Sequence, residues 1–88
     1  MHYLHIFNVC YVTDIVTKER KVYRTKDFDI SLKPLFNELY QLTIRTETTH
    51  VLTCDCAIDR ETETDLVLVG LLDHKPSLKI VMNKSFFL

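Results

Sequence analysis

Apolar residues in this chain recur mostly at every second position. In residues 2–16 (HYLHIFNVCYVTDIV), Leu4, Ile6, Cys10 and Val12 fall on one parity and Tyr3, Phe7, Val9, Tyr11 and Ile15 on the other. Both faces are apolar, the pattern of a central strand covered on both sides. The polar cluster Thr17-Lys18-Glu19-Arg20 marks a turn. Residues 21–27 return as a more polar strand, suited to a sheet edge where charge discourages unwanted pairing. The period then changes. Leu32, Leu35, Phe36, Leu39 and Leu42 follow i, i+3, i+4, i+7 and i+10, which predicts an amphipathic helix over 31–42. Asp29 or Ser31 can cap it, and Pro34 is tolerated in its first turn.

Alternation resumes at 43–58, where Ile44, His50, Leu52, Cys54, Cys56 and Ile58 share one face. The TETTH stretch is a point at which this run can divide into two strands. Residues 59–64 (DRETET) read as a charged loop. Residues 65–72 (DLVLVGLL) are again apolar on both faces, 73–76 turn, and 77–83 alternate. The order is β-β-α-β-β-β. It predicts a single α+β domain over residues 1–88, with a mixed or antiparallel five-stranded sheet and one amphipathic helix on one face.

That architecture leaves a deficit. Two strands are apolar on both faces, but one helix covers one face only. A second copy of the chain is the simplest cover for the other, which predicts a homodimer or higher oligomer. A sheet that curls into a half-barrel and closes on itself is the alternative.

Composition narrows the classes. The 88 residues are 47% hydrophobic and 26% charged, with a formal net charge of −1. A disordered tail and a multidomain enzyme are excluded. A single glycine (Gly70) cannot build a phosphate-cradling loop, and it implies few turns with positive φ. Ten threonines and many Val, Ile, Tyr and Phe favour strands. The odd count of three cysteines, no visible signal peptide and no long apolar run point to a reducing cytoplasmic setting with no membrane partner.

Three clusters are candidate sites. Cys54 and Cys56 put two thiols on one strand face, about 7 Å apart, within the span of one metal ion. His50 lies roughly 13 Å from Cys54 along a regular strand, so His74 or Cys10 would have to complete the ligand set. Ordinary core packing is the competing account of these cysteines, and no cofactor is expected. Asp55, Asp59, Glu61, Glu63 and Asp65 surround Arg60 and form an acidic segment suited to a basic protein surface. Lys18, Arg20, Lys21, Arg24 and Lys26, with Tyr23 between them, form a basic hairpin that could lie on nucleic acid. The mildly acidic whole weakens that reading. Asp14, Glu19 and Lys21 follow the D…ExK order of some metal nucleases, but the match is short and Asp14 and Glu19 sit on opposite arms of a turn. The terminal Phe86-Phe87-Leu88 fits either a C-terminal ligand for a PDZ-type domain or a packing segment.

No catalytic motif is visible. The expected function is that of a non-catalytic protein-binding module, a small homodimeric modulator or inhibitor of a larger complex of the kind viruses and mobile elements encode. Nucleic-acid binding through 18–26 is the first alternative. A metal-dependent enzyme or zinc protein around Cys54 and Cys56 is the second.

Overall fold

A computed structural model describes residues 7–84. The N-terminal part of the first expected strand and the terminal SFFL lie outside the described residues. Seven strands follow in order: β1 Phe7–Asp14, β2 Arg20–Arg24, β3 Asp29–Pro34, β4 Leu39–Arg45, β5 His50–Glu61, β6 Asp65–Leu72 and β7 Lys75–Lys84. They form one sheet, ordered β2-β1-β7-β6-β5-β4-β3, and every pairing is antiparallel.

The expected α+β class is therefore corrected to all-β: the described residues contain no helix. The segment 31–42 is a β-hairpin. Ile30 and Leu32 alternate on β3, Leu42 and Ile44 alternate on β4, and the four meet in register and are buried. The helical spacing of Leu32, Leu35, Phe36, Leu39 and Leu42 competes with this pattern and loses. Pairing β4 to β5 buries Leu42 and Ile44 completely, while Leu35 stays 38% and Phe36 91% exposed. The hairpin turns at Asn37 and Glu38, both at positive φ (59° and 61°), the geometry of a two-residue type I′ turn. Asp73 and His74 turn the β6–β7 hairpin in the same way (φ 52° and 65°), so non-glycine residues supply the left-handed positions. Pro34 ends an edge strand, where no ladder hydrogen bond is needed on the free side.

The remaining strand expectations fare better. The run 2–16 supplies β1 and 65–72 supplies β6, both interior to the sheet, and the polar return 21–27 supplies the edge strand β2. The expected charged loop at 59–64 shrinks, because β5 continues through Glu61.

The sheet curls. Cys10 on β1 lies three strand spacings from β5, about 14 Å on a flat sheet. Yet Cys10 shares one buried core with Cys54 and Cys56 of β5. Bulges help the bend. The register slips once in each of four strand pairs and leaves Asn8, Val51, Asp59 and Ser77 without a direct opposite. The concave face holds the core, with Leu42, Ile44, Leu66, Leu68, Ile80 and Met82 fully buried.

Connectivity prevents the curl from closing into a barrel. Six antiparallel pairings separate β2 from β3, so the two edges run in the same direction. Residues 25–28 are their whole connection, a tight bend in which the Phe28 and Asp27 amides donate to the Arg24 carbonyl, each at 3.0 Å. Parallel neighbours need a crossover of a dozen residues or more. Among the described residues the two edges stay unpaired, and the sheet is an open half-barrel.

Curvature takes the place of the expected helix in covering one face. The concave apolar set is sealed by curvature within one chain. The other set lines the convex face, where Val22, Tyr11, Val81 and Val67 form a row across four strands. Arg20 covers part of that row, its guanidinium 5.1 Å from the Tyr11 ring centroid.

Candidate functional site

Three turns share one end of the half-barrel: 15–19 between β1 and β2, 46–49 between β4 and β5, and 73–74 between β6 and β7. The Ile15 amide, donating to the Ser77 carbonyl at 3.0 Å, ties the first of these to the start of β7. The concave face opens between β1, β2 and β5 at this rim. The opening is a cavity of about 260 Å³ lined by Val12, Asp14, Glu19, Lys21, Tyr23, Val51, Leu52 and Leu78.

Local rules put each side chain there. Val12 and Asp14 are two apart on β1 and share its concave face. Thr13 pairs with Arg20, so the next pair inward to the turn is Asp14 with Glu19, joined by the Asp14 amide to the Glu19 carbonyl at 2.8 Å. Directly opposed residues of a hairpin project to the same side. Lys21 lies opposite Val12, one row deeper. Val51 and Leu52 are consecutive and both reach the mouth, because the bulge at Val51 breaks the alternation of β5.

Asp14 also builds the turn. Its Oδ1 accepts the Val16 amide at 2.9 Å and the Thr17 amide at 3.0 Å. These bonds, Thr17 first, hold its carboxyl below the usual carboxylate range. Among the described residues, neither Asp14 nor Glu19 has a cationic partner.

Apolar side chains ring this end. Ile15 is 39%, Val16 84%, Val51 38% and Leu72 44% exposed. They are four of the seven large hydrophobic residues exposed among those described.

The three clusters expected from sequence are placed differently. Cys54 and Cys56 share the concave face, as expected, and the fold adds Cys10 beside them. All three are free thiols in the core, and the Cys56 thiol donates to the Tyr40 carbonyl at 3.5 Å. Burial first, then their mutual repulsion, raises Cys10 and Cys56 to about 12; burial and Asp55 raise Cys54 to about 11. Such thiols stay protonated at neutral pH, whereas metal binds the thiolate. His74 lines a shallow depression with Cys54, and His50 is exposed and bonded to the Thr53 hydroxyl. Among the described residues, no three His, Cys, Asp or Glu side chains are grouped closely enough to hold a metal ion.

The acidic residues do not form one loop. Asp55, Asp59 and Glu61 are strung along β5, Glu63 lies in the turn, and Asp65 opens β6 with its Oδ1 accepting the Asn83 side-chain amide at 3.3 Å. From Asp55 to Glu61 is about 20 Å of strand. The basic residues divide between faces: Arg20 and Arg24 project to the convex side, Lys21 and Tyr23 to the concave side, while Lys18 and Lys26 sit in the flanking turns. Tyr23 is engaged edge-to-face with Phe28, ring centroids 5.0 Å apart.

The grouping of Asp14, Glu19 and Lys21 at one mouth is what the sequence reading set aside. Its signal was the hairpin itself: residues symmetrically placed about a turn face each other. Comparison with protein-family models, curated proteins and solved structures finds no match to this chain. Among the described residues, no helix is long and apolar enough to cross a membrane.

Proposed function

We propose that this protein is a binding module for another protein chain and that it docks through the rim of the half-barrel. The observation that supports this is the concentration of exposed Ile15, Val16, Val51 and Leu72 at the turn end that carries the mouth, with Val51 in its lining. Singly exposed hydrophobics are ordinary surface, but a cluster around a concavity with a polar lip has the anatomy of an interface. Among the described residues, the opposite end offers only Leu35 and Phe36, at one hairpin tip. The basic residues favour nucleic acid less, because β2 divides them between two faces.

Site-specific photo-crosslinking in cells that express the protein tests this reading. A photo-reactive phenylalanine analogue at Val16 or Leu72 gives an adduct of discrete mass to a protein chain. The same probe at Thr43, on the convex face of β4, does not. Val51→Asp abolishes the rim adduct while the fold persists by circular dichroism. Absence of rim adducts, or equal adducts from Thr43, overturns the proposal.

A further inference from the structure

The mouth has a chemistry of its own. Asp14 and Glu19 stand opposite each other in the β1–β2 hairpin and both line the lip, a like-charge placement that gains from an intervening cation. Lys21 is the one cation in the lining, and no ion pair joins it to either acid among the described residues. The lining is therefore net negative. Asp14 Oδ1 accepts the two turn amides, which fixes the carboxylate at the lip. Below the lip the walls are apolar, with Val12 and Leu78 nearly buried and Leu52 half-buried. At about 260 Å³ the space is smaller than the usual small-molecule site of roughly 300–1,000 Å³. It suits one long side chain with an apolar stem and a cationic head.

We infer that the mouth receives a lysine or arginine side chain from the docked partner, its methylene stem against Val12, Leu52 and Leu78 and its charged head between Asp14 and Glu19. This assignment rests on the rim being the docking end. Among the described residues no cation pairs the two acids, and the partner supplies that charge. The same assignment gives Lys21 a selective role, since its ammonium repels a second cation and limits entry to one.

The test is a methyl NMR titration of the intact chain with three blocked tripeptides: acetyl-Val-Lys-Val-amide and its norleucine and glutamate counterparts. The lysine peptide shifts the Val12, Leu52 and Leu78 methyl signals. Norleucine, which keeps the stem and loses the charge, binds at least tenfold more weakly, and glutamate does not bind. Asp14→Asn keeps the Oδ1 acceptor that the turn needs, and Glu19→Gln keeps the shape. Together they lower lysine-peptide affinity at least tenfold without changing the amide spectrum elsewhere. Lys21→Met raises it severalfold. Equal binding of the norleucine peptide, indifference to the two acid substitutions, weaker binding by Lys21→Met, or Mg²⁺ shifting the same methyls while blocking the peptide would each overturn the assignment. Rim crosslinks without lysine-selective binding remove the mouth assignment and leave docking standing. Lysine-selective binding without rim crosslinks supports the mouth and removes rim docking.

Discussion

Gly70 sits at a close approach of β5, β6 and β7, and replacing it measures how closely the concave face is packed there. The residue lies in β6, opposite Cys56 on β5 and Leu78 on β7, at a negative φ that any residue could adopt. A Cβ placed there would stand 3.0 Å from the Leu78 Cβ, 3.1 Å from the Ile80 Cδ1 and 3.3 Å from the Cys54 Sγ. Two effects oppose each other in Gly70→Ala. Alanine narrows the unfolded ensemble and stabilises by about 0.4–1 kcal/mol. Overpacking a closed core costs about 1–3 kcal/mol. Ile80 Cδ1 ends a flexible side chain and can rotate away. Leu78 Cβ is fixed to its backbone, so β6 and β7 must part by a few tenths of an ångström. The clash wins, with a net loss of about 1–2 kcal/mol and a fall in Tm of about 4–8 °C for each kcal/mol. Urea and thermal unfolding of the wild type, Gly70→Ala, Ile80→Val and the double variant provide the assay. Valine lacks Cδ1, so the double variant should recover at least ~0.5 kcal/mol relative to additivity. Gly70→Ala at or above wild-type stability, or strict additivity with Ile80→Val, would refute this account of the curl.

The helix-versus-hairpin contrast gives a second check: Leu42→Ala costs about 2–5 kcal/mol in urea unfolding, whereas Phe36→Ser stays within about 0.5 kcal/mol, because Leu42 is fully buried and Phe36 is 91% exposed. A helix burying both on one face would make the two losses comparable. Glu38→Gly completes an Asn-Gly type I′ turn and relieves a left-handed glutamate, so it raises Tm by a few degrees in calorimetry. The three thiols resist a thiol-specific dye at pH 8 in the folded state and react together once the chain is unfolded. Their folded-state pKa values lie above the ordinary value of 9.0, so the stability they contribute is intact below about pH 9 and declines as pH rises toward 11–12. A urea midpoint that holds or increases across that range would contradict their burial.

Much of the strand pattern was legible because it is local. Alternation in Leu52, Cys54, Cys56 and Ile58 is a property of consecutive residues, and burial on one face follows from it. The doubly apolar runs correctly marked β1 and β6 as interior strands. The segment 31–42 misled because its apolar residues satisfy two periods at once. The deciding facts were distant, in the fit of Leu42 to Cys54 and of Ile44 to Leu52. Asn37 between two alternating flanks was the available turn signal, masked by the expectation that a chain with one glycine has few left-handed turns. The acidic and basic clusters were legible as composition but not as geometry, since strand pleat and bulges decide which side each charge faces.

The mouth exists for the same reason that the barrel does not close. An odd number of strands in an all-antiparallel meander leaves its two edges parallel, and a four-residue connection cannot pair them. Curvature then buries the concave apolar set along most of the sheet but cannot seal the end where β1 and β2 face β5 across the opening. At that end the hairpin rule sets Asp14 against Glu19, and the bulge at Val51 turns an extra apolar side chain toward the gap. Asp14 serves the turn through its Oδ1, but setting Glu19 against it brings like charges together, and an exposed valine gains nothing from water. A second acid and an exposed valine that converge on one opening make sense when something enters it. Acid above and hydrocarbon below match the cationic side chain on a long apolar stem that we propose for it.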